Sequence, residues 1–507
     1  MRNVGGVAPG EEPPAPVADR AVLMMVSQAI SHACFLLIAV VLAHSLTRTE
    51  FGTFNQVWLV NRSLFYLFSL GLPVSVYFFL PRLAESERKS FIVQTMLSLT
   101  VLALPFSLAM YLLADPLSVY FHNPELAHQL RVFAIWPLVT VPTICTDAIL
   151  LSLGRTGKAA TFEIVTKLAM IAAVAAAAFA GRGLELVFVA LIGYGVLQSL
   201  LGIWMVWQSV RGIRAPITLA SWRSQLVFAA PYGLGTLAAV LNYQVDKVVV
   251  SLFYPPETFA LYAAGAFEIP LAGVTSVVVL SVIMPEFVRR FQLRDVDGFL
   301  SLWQHSMLKL ALPIFAVAGF LMVFADPIVR IAFSDQYAES IWPFRIYLLF
   351  LPLRITVWSQ VLASTGDTRT VLTAQLKAMA FNIVLGYSLT RSVGWMGGAM
   401  AALLADYVFS ALLLRQIGRR LQVGTRRMVP WVGLGRVALL AIVASLICFP
   451  LTRLDLPVVW ELLAGFALFT TVYAVAARKA NLITGDDILV LRRWLMLITG
   501  APLGKAL

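Results

Sequence analysis

The chain has few charged residues for its length. Of its 507 residues only 13% are charged, whereas 60% are hydrophobic, and the mean hydropathy is +0.85. A soluble domain is typically about half apolar and about a quarter charged. The deficit of charge excludes a string of soluble domains, and the abundance of apolar side chains excludes an intrinsically disordered chain. This composition is typical of a protein embedded in a membrane.

Cysteine and catalytic motifs are also scarce. The three cysteines, Cys34, Cys145 and Cys448, lie in apolar runs, which favours packing roles over a disulfide framework or a zinc site. The segment Gly154–Lys158 lacks the spacing of a phosphate-binding loop, and no His-Glu-x-x-His motif is present. We therefore expect no metal, no cofactor and no enzyme activity. The gaps between apolar runs are too short for an ATPase domain, so any transport would need an ion gradient, the membrane potential or substrate supply.

The apolar runs predict an all-α polytopic membrane protein of about fourteen helices, since a span needs about 20 apolar residues. The predicted spans are 21–46, 51–80, 90–114, 125–153, 159–180, 184–210, 224–253, 258–287, 298–324, 338–365, 370–390, 395–414, 431–450 and 457–477.

The distribution of Lys and Arg tests this topology. With the N-terminus inside, the inner segments hold 24 Lys and Arg residues and the outer segments hold 5. Basic residues concentrate on the cytoplasmic side of membrane proteins. The pattern predicts both termini in the cytoplasm. The net charge of +12 then reports topology, and we expect no nucleic-acid partner.

An internal repeat is visible at an offset of about 210 residues. The matched pairs are Ile149–Lys158 with Gln360–Arg369, Arg131 and Pro137 with Arg345 and Pro352, and Glu50–Phe54 with Thr258–Tyr262. Each pair is six spans apart, which preserves orientation and indicates two parallel six-helix bundles. The predicted organisation is a disordered tail at 1–19, bundles at 20–214 and 215–424, two further helices within 425–480, and an amphipathic cytoplasmic tail at 481–507.

Fourteen charged residues fall inside the predicted spans. Each costs roughly 2.5–3.5 kcal/mol at mid-bilayer, so they must pair, reach the interface or line a hydrated cavity. Basic residues are in excess, which favours a cavity for an anionic substrate such as a pyrophosphate. The basic residues are Arg62, Arg131, Lys167, Lys247, Lys309, Arg345, Arg354, Lys377 and Arg436, and the acidic ones are Asp147, Glu163, Asp246, Glu268 and Asp406.

These charges divide into predicted roles. Arg62, Arg345 and Arg354 are the main candidates for substrate binding, assisted by Arg131, Lys309 and Lys377. Arg62 lies on a polar stripe of its span, and Pro352 can bend the helix that carries the other two arginines. The candidates for ion coupling or gating are Glu268, Asp406, Asp246 and Lys247.

Two acid–lysine combinations have simpler interpretations. Glu163 and Lys167 are four residues apart, so they can form an ion pair on one helix face. Asp246 and Lys247 are adjacent and point about 100° apart, so we expect that they do not satisfy each other. A gate or a contact between helices is as consistent with the second combination as a substrate contact.

Several segments resemble a known family. The resemblance lies in Val40–Phe54, Ser69–Val74, Asn242–Lys247, Leu261–Gly265 and Met284–Glu286. They are similar to bacterial polysaccharide transporters of the Wzx-like branch of the multidrug/oligosaccharidyl-lipid/polysaccharide exporter superfamily. The resemblance implies two six-helix bundles around a V-shaped cavity, as in multidrug exporters. It also implies a flippase for undecaprenyl-pyrophosphate-linked glycans in the bacterial cytoplasmic membrane.

The implied partners are the lipid-linked glycan, membrane lipids, and a polysaccharide polymerase with chain-length proteins. Alternative functions remain open. They are an ion-coupled multidrug antiporter, a lipid II flippase, a scaffold for polysaccharide assembly, and a membrane-embedded transferase or polymerase. The lipid II branch ranks lower because the Arg-rich first helix associated with it is missing.

Overall fold

The computed structural model describes residues 17–210, 218–267, 269, 284, 286–356, 358–364, 367–454 and 456–482. Within these ranges the secondary structure is helical, without strands. The α-helices are α1 (Val17–Ser45), α2 (Arg48–Ser69), α3 (Leu72–Phe79), α4 (Glu85–Leu112), α5 (Ala114–Tyr120), α6 (Pro124–Phe133), α7 (Ile135–Thr140), α8 (Thr146–Ser152), α9 (Thr156–Phe179), α10 (Gly183–Ser209), α11 (Leu219–Phe253), α12 (Pro256–Gly265), α13 (Val296–Val323), α14 (Ala325–Phe333), α15 (Ile341–Leu348), α16 (Trp358–Ser364), α17 (Thr368–Val393), α18 (Met396–Leu421), α19 (Thr425–Met428), α20 (Trp431–Cys448) and α21 (Val458–Lys479).

Nine helical segments in the described ranges are long and apolar enough to cross a bilayer. A tenth candidate is the pair α2 and α3, which bends by 42°. The bend lies at Leu70 and Gly71, both left-handed, with φ of 46° and 69°. Pro73 sits in the first turn of α3, where its missing N–H costs no helical hydrogen bond. The prediction of a helical membrane protein is confirmed, but the count of fourteen spans is not.

Two predicted spans are built from short pieces. Between Pro124 and Ser152 the chain runs through α6, α7, a 3₁₀ turn at Val141–Thr143, and α8. Between Asp335 and Ser364 it runs through a 3₁₀ turn, α15, a second 3₁₀ turn at Leu351–Ile355, and α16. Prolines remove backbone donors in both segments, which explains the interruptions predicted at Pro137, Pro142 and Pro352.

The chain divides into two compact units. One comprises Met1–Val278 and Asp367–Leu412, and the other comprises Val279–Gly366 and Leu413–Leu507. These units are defined by contacts between residues. The predicted boundary at residue 214 is defined by the sequence repeat, which is a different criterion. That division therefore stays a prediction, as do the tails at 1–19 and 481–507. Residues 1–16 and 483–507 lie outside the described ranges.

In the first unit, α11 and α12 lie directly against α2 and α3. A Cβ atom added to Gly52 of α2 would lie 1.9 Å from the Pro256 carbonyl oxygen of α12. Gly71 and Gly233 also meet backbone to backbone, since a Cβ on Gly71 would lie 2.8 Å from the Gly233 nitrogen. Glycine at these positions lets the helices approach to backbone contact. The first helix pair therefore touches α12 at Gly52 and α11 at Gly71.

In the second unit, the two C-terminal helices pack on α13 and α14. Phe324, Ala441 and Phe469 belong to one buried apolar cluster. The Tyr473 hydroxyl donates a hydrogen bond of 2.9 Å to the Leu312 carbonyl, next to Pro313 inside α13. The final pair of helices is thus an integral part of this unit.

Candidate functional site

Arg62 is an exposed cation on α2. Its side chain is exposed, and no described residue hydrogen-bonds to it or forms an ion pair with it. The predicted polar stripe of α2 is only partly free. Asn55 turns back to donate a hydrogen bond to the Phe51 carbonyl, and Ser63 donates to the Leu59 carbonyl. Arg62 is therefore the residue of the stripe that remains available to a ligand.

Gln56, on the same stripe, is fully buried in a polar network. Its side-chain carbonyl accepts a 2.7 Å hydrogen bond from Asn123, and its amide donates a 3.4 Å bond to Ser251 of α11. Asn123 also donates to Thr53 at 2.8 Å. This network joins α2, α11 and the start of α6. It explains the polar residue at position 56 without a substrate.

The other cations of the first unit differ in their surroundings. Lys377 on α17 is exposed and, within the described part of the chain, has no hydrogen-bond or ion-pair partner. Arg131 on α6 is held in an ion pair with Asp115, its Nη2 lying 2.5 Å from Oδ2. Its guanidinium also lies 5.7 Å from the ring centre of Tyr111. Arg131 already has a counterion, whereas Lys377 has none among the described residues.

The second unit carries Arg345, Arg354 and Lys309. The buried Nε of Arg345 has no hydrogen-bond partner among the described residues, and its guanidinium lies 5.5 Å from the Trp342 ring centre. The helix bearing Arg345 ends at Leu348, and Arg354 lies in the following 3₁₀ turn. The predicted break at Pro352 is confirmed. Lys309 is exposed on α13.

Asp246 and Lys247 correct one expectation. The Lys247 Nζ lies 3.5 Å from the Asp246 Oδ2, so the adjacent residues do form an ion pair. Their helical directions diverge, but the four-carbon lysine side chain can curve back to its neighbour. Asp246 is 1% exposed and also accepts a 2.5 Å hydrogen bond from Tyr262 of α12. The pair thus connects α11 to α12; its role in gating stays a prediction.

Glu163 and Lys167 correct a second expectation. They form no ion pair within 4 Å, although both belong to α9. Glu163 instead accepts hydrogen bonds from Ser31 at 2.7 Å and from Ser27 at 3.2 Å, both on α1. The Lys167 ammonium lies 5.0 Å from the ring centre of Phe35. Asp147 of α8 interacts electrostatically with both residues.

This α1–α8–α9 cluster was not among the predicted site residues. The sequence signal was present, since three charges fall inside neighbouring spans. Spacing alone favours a local pair of Glu163 and Lys167, because the i and i+4 positions on a helix are neighbours. The serines of α1 lie more than a hundred residues away in sequence, so spacing could not indicate them.

Two predicted acids remain to be placed. Asp406 is half-buried on α18. Glu268 lies outside the described residues, so its predicted role in ion coupling has no structural description. In the ranges that the structure covers, no group of three or more His, Cys, Asp or Glu side chains is arranged to hold a metal ion.

Comparison with known proteins assigns the chain to a family. The profile of the family described as polysaccharide biosynthesis protein matches residues 17–290, more than half of the chain. The chain belongs to this family. A curated relative named as a probable lipid II flippase MurJ, from Rhizobium meliloti, is 28% identical over 281 residues. That alignment covers 52% of this chain and 51% of the relative, so the chain spans about half of the relative's length.

Solved structures show the same fold. A lipid II flippase MurJ in an inward closed conformation matches 91% of this chain and 98% of its own, with a TM-score of 0.68 and 15% identity. An inward-facing multidrug resistance MATE transporter of the MOP superfamily matches 79% of this chain and 98% of its own, with a TM-score of 0.64 and 14% identity. The predicted resemblance to a polysaccharide family agrees with the family match, and the predicted fold agrees with these structures. The Wzx-like branch stays a prediction.

Proposed function

We propose that this polysaccharide biosynthesis family member is a flippase. It would move an undecaprenyl-pyrophosphate-linked oligosaccharide from the inner to the outer leaflet of the bacterial cytoplasmic membrane. The glycan would be a repeat unit of an exopolysaccharide, a capsule or an O-antigen.

The observation that carries this proposal is a set of intramembrane cations without protein counterions. Arg62 and Lys377 are exposed and have no hydrogen-bond or ion-pair partner in the described ranges, and the buried Nε of Arg345 donates no hydrogen bond there. A charge inside a bilayer is costly, so these groups favour an anionic ligand. The guanidinium fork matches phosphate oxygens in two parallel hydrogen bonds.

The same charges argue against export of cationic drugs. A drug antiporter needs an anionic site, whereas the carboxylate of Asp246 is paired with the ammonium of Lys247. Repulsion from the unpaired cations would further weaken binding of a cationic molecule.

The contact of α2 with α12 supports alternating access. With the termini in the cytoplasm, Gly52, Pro256 and the hydrogen bond from Thr49 to Glu257 (2.7 Å) lie at the outer ends of these helices. Contact between these outer ends would close the outer side of the protein while substrate enters from the cytoplasm. Separation of α2 and α12 would then be the opening step.

A second candidate is transport of lipid II. The observation that favours it is the sequence relative named as a probable lipid II flippase. Both candidates require recognition of a lipid-linked anionic headgroup, so the cations alone do not distinguish them. Association with a polymerase or chain-length proteins belongs to the same proposal and would be tested by copurification.

The test is reconstitution of the full chain in liposomes. Undecaprenyl-pyrophosphate-linked oligosaccharide, lipid II and a cationic dye are supplied separately, and an impermeant glycosidase or lectin reports the glycans that reach the opposite leaflet. Protein-dependent movement of the oligosaccharide lipid supports the proposal. Movement of lipid II alone selects the second candidate. Transport of the dye alone contradicts both.

A further inference from the structure

The α1–α8–α9 cluster is a second polar site within the first unit. It contains two carboxyl groups, Asp147 and Glu163, and one ammonium group, Lys167. All three lie on helices of predicted membrane spans. They are separate from the exposed cations that carry the proposed function.

The two carboxyl groups have different environments. Glu163 accepts two hydrogen bonds from serine hydroxyls, which stabilise its ionised form. The Oδ1 atom of Asp147 is buried and has no hydrogen-bond partner among the described residues. A buried carboxylate without donors is costly when ionised. Glu163 thus has donors for both oxygens, whereas the buried Oδ1 of Asp147 has none among the described residues and is free to carry a proton.

Charge balance leads to the same assignment. With both carboxyl groups ionised and Lys167 protonated, the cluster carries one uncompensated negative charge. An uncompensated charge in a low-dielectric interior is unfavourable. One added proton makes the cluster neutral. Lys167 already supplies one positive charge. A single proton therefore balances the remaining negative charge, and no metal ion is needed.

A tyrosine from a further helix also faces the cluster. Tyr194 of α10 is 5% exposed, and its hydroxyl lies beside the side chain of Thr166 on α9. Asp147 interacts electrostatically with Tyr194 and with Tyr77 of α3, a residue that is 49% exposed. The partial exposure of Tyr77 and Asp147 gives the site an edge at the protein surface.

We propose that Asp147, Glu163 and Lys167 form a proton-exchange site in which Asp147 takes up and releases the proton. The proton forms an O–H bond on Asp147 and returns to water when the carboxylate forms again. The other titratable groups near the cluster are Cys34 from α1, Tyr77 from α3, Cys145 beside α8 and Tyr194 from α10. Coupling of this site to transport rests on the proposed function, whereas its protonation does not.

The test is an infrared titration of the reconstituted wild-type protein without substrate. The carbonyl band of a protonated carboxyl group is followed against pH. Asp147→Asn should lower the intensity of this band at neutral pH by the contribution of one carboxyl group. Lys167→Met should do the opposite, since loss of the cation leaves two carboxyl groups that both favour protonation, and the band should grow and persist to higher pH.

Asp115→Asn is the matched control, because this acid is exposed and lies outside the cluster. It should leave the neutral-pH band unchanged. If Asp147→Asn also leaves the band unchanged while it folds normally, the proton site is refuted. If Asp147→Asn is unstable, the Lys167→Met protein provides the test. A carbonyl band in Lys167→Met that is smaller than in wild type, or unchanged, overturns the proposal. A band that responds to sodium and not to pH would also overturn it.

Coupling is measured separately as the pH profile of flipping. Asp147→Asn should flatten the profile of a wild type that transports. If the wild type moves no substrate but the band behaves as expected, the proposed function fails and the proton site stands. If transport occurs with the same pH dependence in both proteins, coupling through Asp147 is refuted.

Discussion

Two acid–lysine combinations inside the first unit behave in opposite ways. Glu163 and Lys167, spaced to pair on one helix, do not pair, whereas the adjacent Asp246 and Lys247 do. The difference follows from their neighbours. Two serines of α1 satisfy Glu163, and a ring of the same helix faces Lys167. Lys247 instead curves back to Asp246, which also accepts a hydrogen bond from Tyr262.

The comparison shows that spacing defines which pairs are possible, and tertiary partners select among them. A pairing energy of about 0.2–0.5 kcal/mol on an isolated helix is small. A hydrogen bond to a charged group contributes about 1.5–3 kcal/mol. Polar side chains from other helices can therefore displace an intrahelical partner.

The largest loss of stability should come from breaking the ion pair between Asp246 and Lys247. Asp246→Asn removes the carboxylate that lies 3.5 Å from the ammonium of Lys247, a residue that is only 17% exposed. Removing one partner of a buried ion pair costs about 3–5 kcal/mol. The free energy of unfolding in detergent should fall by that amount. The double variant Asp246→Asn with Lys247→Met should recover most of the loss, and a single-variant cost below about 1 kcal/mol would contradict the buried pair.

A smaller loss should follow Tyr262→Phe. This change removes the hydroxyl that donates to Asp246 and leaves the aromatic ring in place. The expected cost is about 1.5–3 kcal/mol, since the acceptor is charged. Denaturation midpoints measure it. Additivity with Asp246→Asn would contradict the contact, because coupled residues should show a shared loss in the double variant.

The smallest loss of stability should come from the surroundings of Glu163, which forms no ion pair with Lys167. Ser31→Ala removes the 2.7 Å hydrogen bond to Glu163, but Ser27 still donates. The remaining donor offsets part of the roughly 1.5–3 kcal/mol expected for a charged acceptor, so the cost should be about 1 kcal/mol. Ser27→Ala is the matched variant and should cost less, since its bond is longer. If Ser31→Ala had no effect while Glu163→Gln strongly destabilised the protein, Lys167 would be the real partner of Glu163.

Sequence reasoning predicted the architecture well and the contacts poorly. Apolar run length predicts spans because the bilayer sets the length of an apolar helix, and Pro352 predicted the break after Arg345. The roles of Gln56 and Glu163 depended on Asn123, Ser251, Ser27 and Ser31, which are distant in sequence. The polar stripe of α2 predicts a ligand-binding role for Arg62. The other polar side chains of that stripe, however, form hydrogen bonds within α2 or to neighbouring helices.

The most direct test of the central claim is the flipping rate of Arg62→Ala in liposomes with undecaprenyl-pyrophosphate-linked oligosaccharide. Arg48→Ala, on the same helix, is the control. Loss of a charge-assisted phosphate contact should slow flipping by at least about tenfold. Arg62→Lys should restore part of the rate, and Arg48→Ala should stay within about twofold of wild type. Wild-type flipping by a well-folded Arg62→Ala protein would contradict the claim that this unpaired arginine binds the pyrophosphate.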